Sequence, residues 1–206
     1  MNVFVLCTGR CGSHTFIEAC NHITNYSAGH ETRSRFIGRE RLNYGPKHIE
    51  ADNRLAWFLG RLDKIYGDDA FYVHLTRERQ SNAASMSRYM HMGILEAYTD
   101  GILMRSSYRN DPMEFSLDLY DTINMNIETF LKDKSRKMNF RLENAQEDFR
   151  IFWDKVGARG DLNAALGEWE RIFNKSKIDI FEIINQTFRS LRRKMKRPIE
   201  KDYPSM

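Results

Sequence analysis

Cysteine is scarce in this chain. Only three occur among 206 residues, Cys7, Cys11 and Cys20, and an odd, low count crowded near one end excludes a disulfide framework. No Cys-x-x-Cys pair or second ligand cluster accompanies them, so a zinc site of the usual spacing is excluded as well. They read as small buried or loop thiols. Proline is rare, with four residues, and no repeat or low-complexity tract is present. No apolar run approaches the ~18 residues of a membrane span. The apolar start Val3-Phe4-Val5-Leu6-Cys7 is too short for a secretory signal and has no basic segment before it. A soluble, cytoplasmic protein is therefore expected. Neither sign of charge dominates: the formal net charge of +4 suits an anionic ligand and makes no case of its own for nucleic acid.

What is present is an ordinary globular mixture, 41% hydrophobic and 29% charged. At ~100–200 residues per domain, the length predicts one domain. Short apolar runs alternate with helical patterns in the first half, the signature of βα units and a parallel sheet. Residues 3–7 fit a strand buried on both faces, followed by a helix over 13–24 and a weaker strand over 26–30. A polar stretch then runs to Pro46. A helix over 52–66 carries Leu55, Phe58, Leu59 and Leu62 on one face, and a second clear strand covers 70–75. Helical patterns follow over 79–91, 95–104, 117–131, 149–153 and 162–173, with an alternating strand over 137–142. Phe181, Ile184, Phe188, Leu191 and Met195 form a last helical stripe, able to cover the core or a second copy in a homodimer. The expected fold is α/β: a small parallel sheet flanked by helices. A βα core over about 1–92 carries a largely helical cover and the last strand over about 93–206.

Two segments could carry chemistry. In the first, the buried strand passes through Gly9-Arg10-Cys11-Gly12 into Ser13-His14-Thr15 at the start of a helix. Such a turn leaves backbone N–H groups pointing into one hollow, where the helix dipole adds positive potential. Gly9 and Gly12 allow close backbone approach, Arg10 brings a fixed charge, and Ser13 and Thr15 bring hydroxyls. The bland alternative is a glycine-containing turn that binds nothing. Three familiar loops fail on spacing. A Walker A loop needs Gly-Lys-Ser/Thr, and no lysine follows Gly12. A dinucleotide fingerprint needs a third glycine. A cysteine phosphatase loop needs arginine six positions after the cysteine, where Ser13 and Ile17 stand.

The second segment follows the strand over 70–75. Arg77 lies at its carboxyl end, where open α/β sheets bind ligands. Ser85, eight positions later, falls about two turns along the next helix. An arginine at a strand end and a helix hydroxyl can clamp a second phosphate, although a solvated basic helix start would look the same.

Together the two segments resemble one family, the sulfotransferases that use 3′-phosphoadenosine 5′-phosphosulfate (PAPS). Gly9-Arg10-Cys11-Gly12-Ser13-His14-Thr15 resembles the family's 5′-phosphosulfate loop. Arg77 and Ser85, within Leu-Thr-Arg-x-x-x-x-x-Ala-Ala-Ser, resemble its 3′-phosphate motif, and Arg141-Leu142-Glu143-Asn144 is similar to a short segment often found after a later strand. The resemblance implies transfer of a sulfuryl group from PAPS to a hydroxyl or amine of a small-molecule or glycan acceptor. It leaves 3′-phosphoadenosine 5′-phosphate (PAP) as product and calls for no metal, membrane span or nucleic acid. It implies that Arg10 contacts the 5′-phosphate and the leaving oxygen, with N–H groups from Cys11 to Thr15 completing the cradle. Arg77 and Ser85 would hold the 3′-phosphate. Two residues stand where branches of the family place the base: Glu31, ending Ser27-Ala28-Gly29-His30-Glu31, and His48, in Pro46-Lys47-His48-Ile49.

The pattern also departs from the family's. His14 replaces a hydroxyl residue of the loop, and Glu78-Arg79 follow the second-motif arginine. Lys155-Val-Gly157-Ala-Arg159-Gly160-Asp161 only loosely echoes a late basic glycine loop and reads as a helix C-cap and turn. The basic residues within 189–197 read as a solvated helix end, or as a contact for an anionic acceptor, a membrane surface or nucleic acid. Met90, Tyr98 and Tyr108 could line an acceptor pocket. The alternative functions are a P-loop-like kinase or phosphotransferase and a nucleotide-binding module without catalysis.

Overall fold

In a computed structural model the structure describes residues 1–104 and 111–170. The stripe from Phe181 to Met195, the basic residues within 189–197 and Tyr108 lie outside them. Five strands form one sheet in the order β2-β3-β1-β4-β5, and every pairing is parallel. They are β1 (Val3–Leu6), β2 (Ser27–His30), β3 (His48–Ala51), β4 (Phe71–Thr76) and β5 (Lys137–Arg141). The chain leaves β1 toward β2 on one side and leaves β4 toward β5 on the other. The carboxyl ends of the neighbours β1 and β4 therefore flank a topological switch point, where such sheets open a crevice.

Strand pattern follows position in the sheet. β1 is central and buried throughout, and β4 is buried over five of its six residues. β5, at an edge, alternates exposed and buried residues. Helices α1 (Ser13–Cys20), α6 (Ala145–Val156) and α7 (Leu162–Glu170) pack on one face, where Phe16 meets Phe140, Phe149 and Phe152 edge-on at 4.9–5.6 Å. Helices α2 (Leu59–Tyr66), α3 (Arg79–Ser87), the single turn α4 (Gly93–Glu96) and α5 (Pro112–Leu131) cover the other, around Phe4, Leu6 and Tyr72. The ends are set by side chains. Glu78 accepts from the amides of Gln80 and Ser81 to start α3, Asp111 accepts from Met113 before Pro112 to start α5, and left-handed Gly157 closes α6. The segment around Gly157 is thus a helix cap, as its composition indicated.

The structure departs from the sequence expectations in four places. The stretch before Pro46 is not wholly irregular, since a 3-10 turn spans Gly38–Leu42. Just beyond it, His-Ile-Glu-Ala forms β3, inserted between β2 and β1. The helix expected over 52–66 is broken at Phe58, with a 3-10 turn over Asn53–Trp57 and α2 after it. The region expected as a helix over 95–104 is the α4 turn continued by a π-helical segment over Ala97–Ile102. The cysteines are free and buried.

Two outcomes follow for stability. Phe16 is fully buried among three phenylalanines, so Phe16→Ala should cost about 3–5 kcal/mol, measured by urea unfolding. His74, on β4 and 4% exposed, donates Nε2–H to Asn124 Oδ1 at 2.8 Å, and burial holds its pKa below the ordinary histidine value. The unfolded chain takes up that proton first, at about pH 6.5. Stability from neutral His74 is therefore present above that pH and lost as pH falls below it. The urea midpoint should drop between about pH 7 and 5.5, and His74→Gln should flatten the drop.

Candidate functional site

The turn from β1 into α1 is built on left-handed backbone. Gly9, Arg10 and Gly12 have φ of 91°, 57° and 92°, and for the arginine this costs roughly 1–2 kcal/mol. Side chains would not fit at the glycines. A Cβ on Gly9 would lie 2.8 Å from Asn53 Nδ2, and one on Gly12 would lie 2.6 Å from Leu142 Cδ1. Asn82, buried on α3, holds the turn from the other side, donating Nδ2–H to the Gly9 carbonyl at 2.9 Å and to Thr8 Oγ1 at 3.3 Å. Helix α1 then begins at Gly12 with no side-chain cap and no acidic residue in its first turn. Its positive end is therefore not offset by the helix's own carboxylates. The Cys11 side chain turns away into the core, where the hydrogen bond with Cys7 lowers its thiol pKa against the opposing effect of burial. Thr15 is buried too.

The two sequence segments meet here. Arg10 Nε donates to Ser85 Oγ at 3.2 Å across 75 residues of sequence, and its guanidinium lies 4.6 Å from the Tyr89 ring centroid. Arg77 Nη1 donates to the Arg10 carbonyl at 3.3 Å. Tyr120 on α5 donates its hydroxyl to the Arg77 carbonyl at 2.8 Å, and Glu143 accepts from the Glu78 amide at 2.7 Å. Strand ends β1, β4 and β5 are thereby drawn around one hollow, with Arg10, Arg77 and Ser85 on its rim. Arg79 is turned away, paired with Asp121 through two bonds of 2.8 and 2.6 Å.

The other side of the loop faces β2 and β3. His30, the last residue of β2, lies 3.0 Å from Ser13 Oγ through Nε2, and burial lowers its pKa, keeping it neutral at pH 7. The sequence reading missed His30, although its place before Glu31 at a strand end marked it. His14 is exposed, with its ring 5.6 Å from that of His30 and its Nε2 3.8 Å from Glu18. Glu31 follows in left-handed conformation, φ 53°, its amide donating to the Ala51 carbonyl at 3.0 Å. Its carboxylate, 32% exposed, pairs with Arg54 at 2.7 Å. Beneath them, buried Asp52 accepts from Arg41 Nη2 at 2.6 Å and from the Arg54 amide at 2.8 Å. This pair ties the turn before β3 to the end of β3.

His48 is not brought to this hollow. It begins β3, and its amide donates to Asn2 Oδ1 at 3.2 Å, so it is level with the residue before β1. The loop starts beyond the far end of that strand, roughly 16–20 Å away at ~3.3 Å per residue. His48 is also engaged where it stands, bonded to Glu50 at 2.8 Å and stacked on Tyr44. The histidine opens a strand, which sets it at the opposite end of the sheet from the loop. Met90 and Tyr98 are buried in the core on the α5 face. Among the described residues, no helix is long and apolar enough to cross a membrane.

No protein-family model matches this chain, and no curated protein matches it. Solved structures do. A sulfotransferase domain from the curacin biosynthetic pathway is similar with a TM-score of 0.57 and 12% identity, over 81% of this chain and 76% of that one. Mouse sulfotransferase SULT7A1, complexed with PAP, is similar with a TM-score of 0.53 and 12% identity, over 82% of this chain and 63% of the mouse chain. This chain thus spans less than two thirds of the mouse protein. Its five-stranded parallel sheet and flanking helices form a P-loop-like α/β fold of the kind found in PAPS-dependent sulfotransferases.

Proposed function

We propose that this protein is an enzyme that transfers a sulfuryl group from PAPS to a hydroxyl or amine of a small-molecule or glycan acceptor. One observation carries the reading: the glycine loop and the Arg77–Ser85 segment, 75 residues apart at Arg10 and Ser85, converge on the switch point of a sulfotransferase-like sheet. The residues there suit a nucleotide with phosphates at two positions. The uncapped start of α1 and the left-handed turn of Gly9 to Gly12 suit the 5′ group, since neither glycine covers its own amide with a side chain. Gly9, Cys11, Gly12, Ser13, His14 and Thr15 contribute main chain to that cradle, and Ser13 adds its hydroxyl. Arg77 and Ser85 hold the 3′-phosphate, a pairing of fixed charge and hydroxyl that a nucleotide without that group would leave unused. The PAP bound by the mouse protein carries both groups.

PAPS supplies an activated sulfuryl group whose bond to the 5′-phosphate oxygen breaks as the acceptor oxygen or nitrogen bonds to sulfur. Arg10, on the hollow's rim, offsets the charge that develops on the leaving oxygen. The acceptor's proton passes to Glu31. Glu31 directly follows β2 after His30, which touches the loop through Ser13, and its carboxylate is held by Arg54. His30, neutral by burial, fixes the Ser13 hydroxyl.

The test is transfer of label from ³⁵S-PAPS to a panel of phenols, sugars and amines. Glu31→Gln should lower kcat on the order of 10²-fold or more while PAP still stabilises the fold. Full turnover in Glu31→Gln would remove Glu31 from the mechanism, and absence of transfer to every acceptor would count against the reading itself.

A further inference from the structure

A second cluster lies behind Glu31, and the transfer chemistry as described makes no use of it. Glu50, in the middle of β3, is fully buried. One of its oxygens accepts from the Thr32 amide at 2.7 Å and the other from Thr32 Oγ1 at 2.7 Å. The second oxygen also accepts from His48 Nε2 at 2.8 Å. His48 in turn receives the Ser27 hydroxyl on Nδ1 at 2.9 Å and stacks on Tyr44 with ring planes 11° apart. A chain of hydrogen bonds thus runs from Ser27 at the start of β2, through His48 and Glu50, to the residue that follows Glu31. Gly29 makes room for it. A Cβ there would collide with the Thr32 methyl and come within 3.2 Å of Glu50 Oε2 and 3.3 Å of His48 Cε1.

We infer that Glu50, anchored by His48, is a positioning residue for Glu31. Glu31 carries a left-handed φ of 53°, which a residue with a Cβ holds only when its neighbours impose it. On one side the Glu31 amide is bound to Ala51. On the other, both Thr32 donors are bound by a single buried carboxylate, so the peptide unit after Glu31 cannot turn. The carboxylate of Glu31 is consequently held on Arg54 before any acceptor arrives. This assigns distinct roles to two residues that the sequence left as rival bases: Glu31 takes the proton, and His48 braces the carboxylate that holds Glu31. A buried carboxylate would be costly at this depth if it served no bond network, and here its bonds go to Thr32 and His48.

The inference rests on Glu31 as the base, and its test separates the two. Thr32→Val removes the hydroxyl bond at nearly constant volume, and Thr32→Ser keeps it. Thr32→Val should lower kcat for transfer from ³⁵S-PAPS on the order of 10²-fold with PAP affinity unchanged, and Thr32→Ser should restore most of the rate. Independently of turnover, the carboxyl ¹³C resonance of Glu31, assigned by its loss in Glu31→Gln, should move in Thr32→Val and Glu50→Gln and stay in place in Thr32→Ser. An unmoved resonance in folded, PAP-binding Thr32→Val would overturn the positioning role whether or not transfer is found. A moved resonance with no transfer to any acceptor would sustain the positioning role and defeat the transfer reading alone.

Discussion

The structure depends on a turn whose left-handed backbone favours glycine at two of its positions. Between β1 and α1 the backbone is left-handed at Gly9, Arg10 and Gly12, and Asn53 and Leu142 occupy the places where β-carbons of the two glycines would go. That constraint puts main chain, rather than side chain, at the switch point of the sheet. It also obliges the surrounding elements to close around the turn. Asn82 reaches over from α3, Arg77 bonds the Arg10 carbonyl from the end of β4, and Ser13 meets His30 at the end of β2. The loop is therefore tied by hydrogen bonds to the ends of β4 and β2, which are far apart in sequence.

The two halves of the hollow differ in chemistry. On the β4 side stand fixed cations and a hydroxyl, the groups an anionic nucleotide needs. On the β2 side stand a neutral histidine, a paired carboxylate and the buried Arg41–Asp52 bridge. Breaking such a bridge by removing one partner costs about 3–5 kcal/mol, so it holds the 3-10 turn of Gly38–Leu42 firmly against the end of β3.

Much of this was legible in the sequence because it depends on local pattern. A continuous apolar run running into Gly-x-x-Gly gave away β1 and its loop, and alternation gave away β5. The placement of Arg77 just past a strand end and of Ser85 on the next helix followed from pattern. β3 stayed hidden since two of its four residues, His48 and Glu50, are polar; they bond each other, and Ser27 and Thr32 complete them, contacts made only in three dimensions. His30 was overlooked for a similar reason, as its partner Ser13 lies 17 residues away. The break at Phe58 reflects tertiary packing, because its ring lies beneath the guanidinium groups of Arg41 and Arg61.

The central claim is that the hollow takes a nucleotide bearing a 3′-phosphate, and calorimetric titration tests it most directly. PAP and 5′-AMP would be titrated into the protein and into Arg77→Ala, with ATP and magnesium as a further ligand. The account predicts binding of PAP in clear preference to 5′-AMP, weakened about 10–100-fold in Arg77→Ala, the size expected for a lost charge-assisted hydrogen bond. Equal binding of PAP and 5′-AMP, an Arg77→Ala titration like that of the parent, or preference for ATP with magnesium would contradict it.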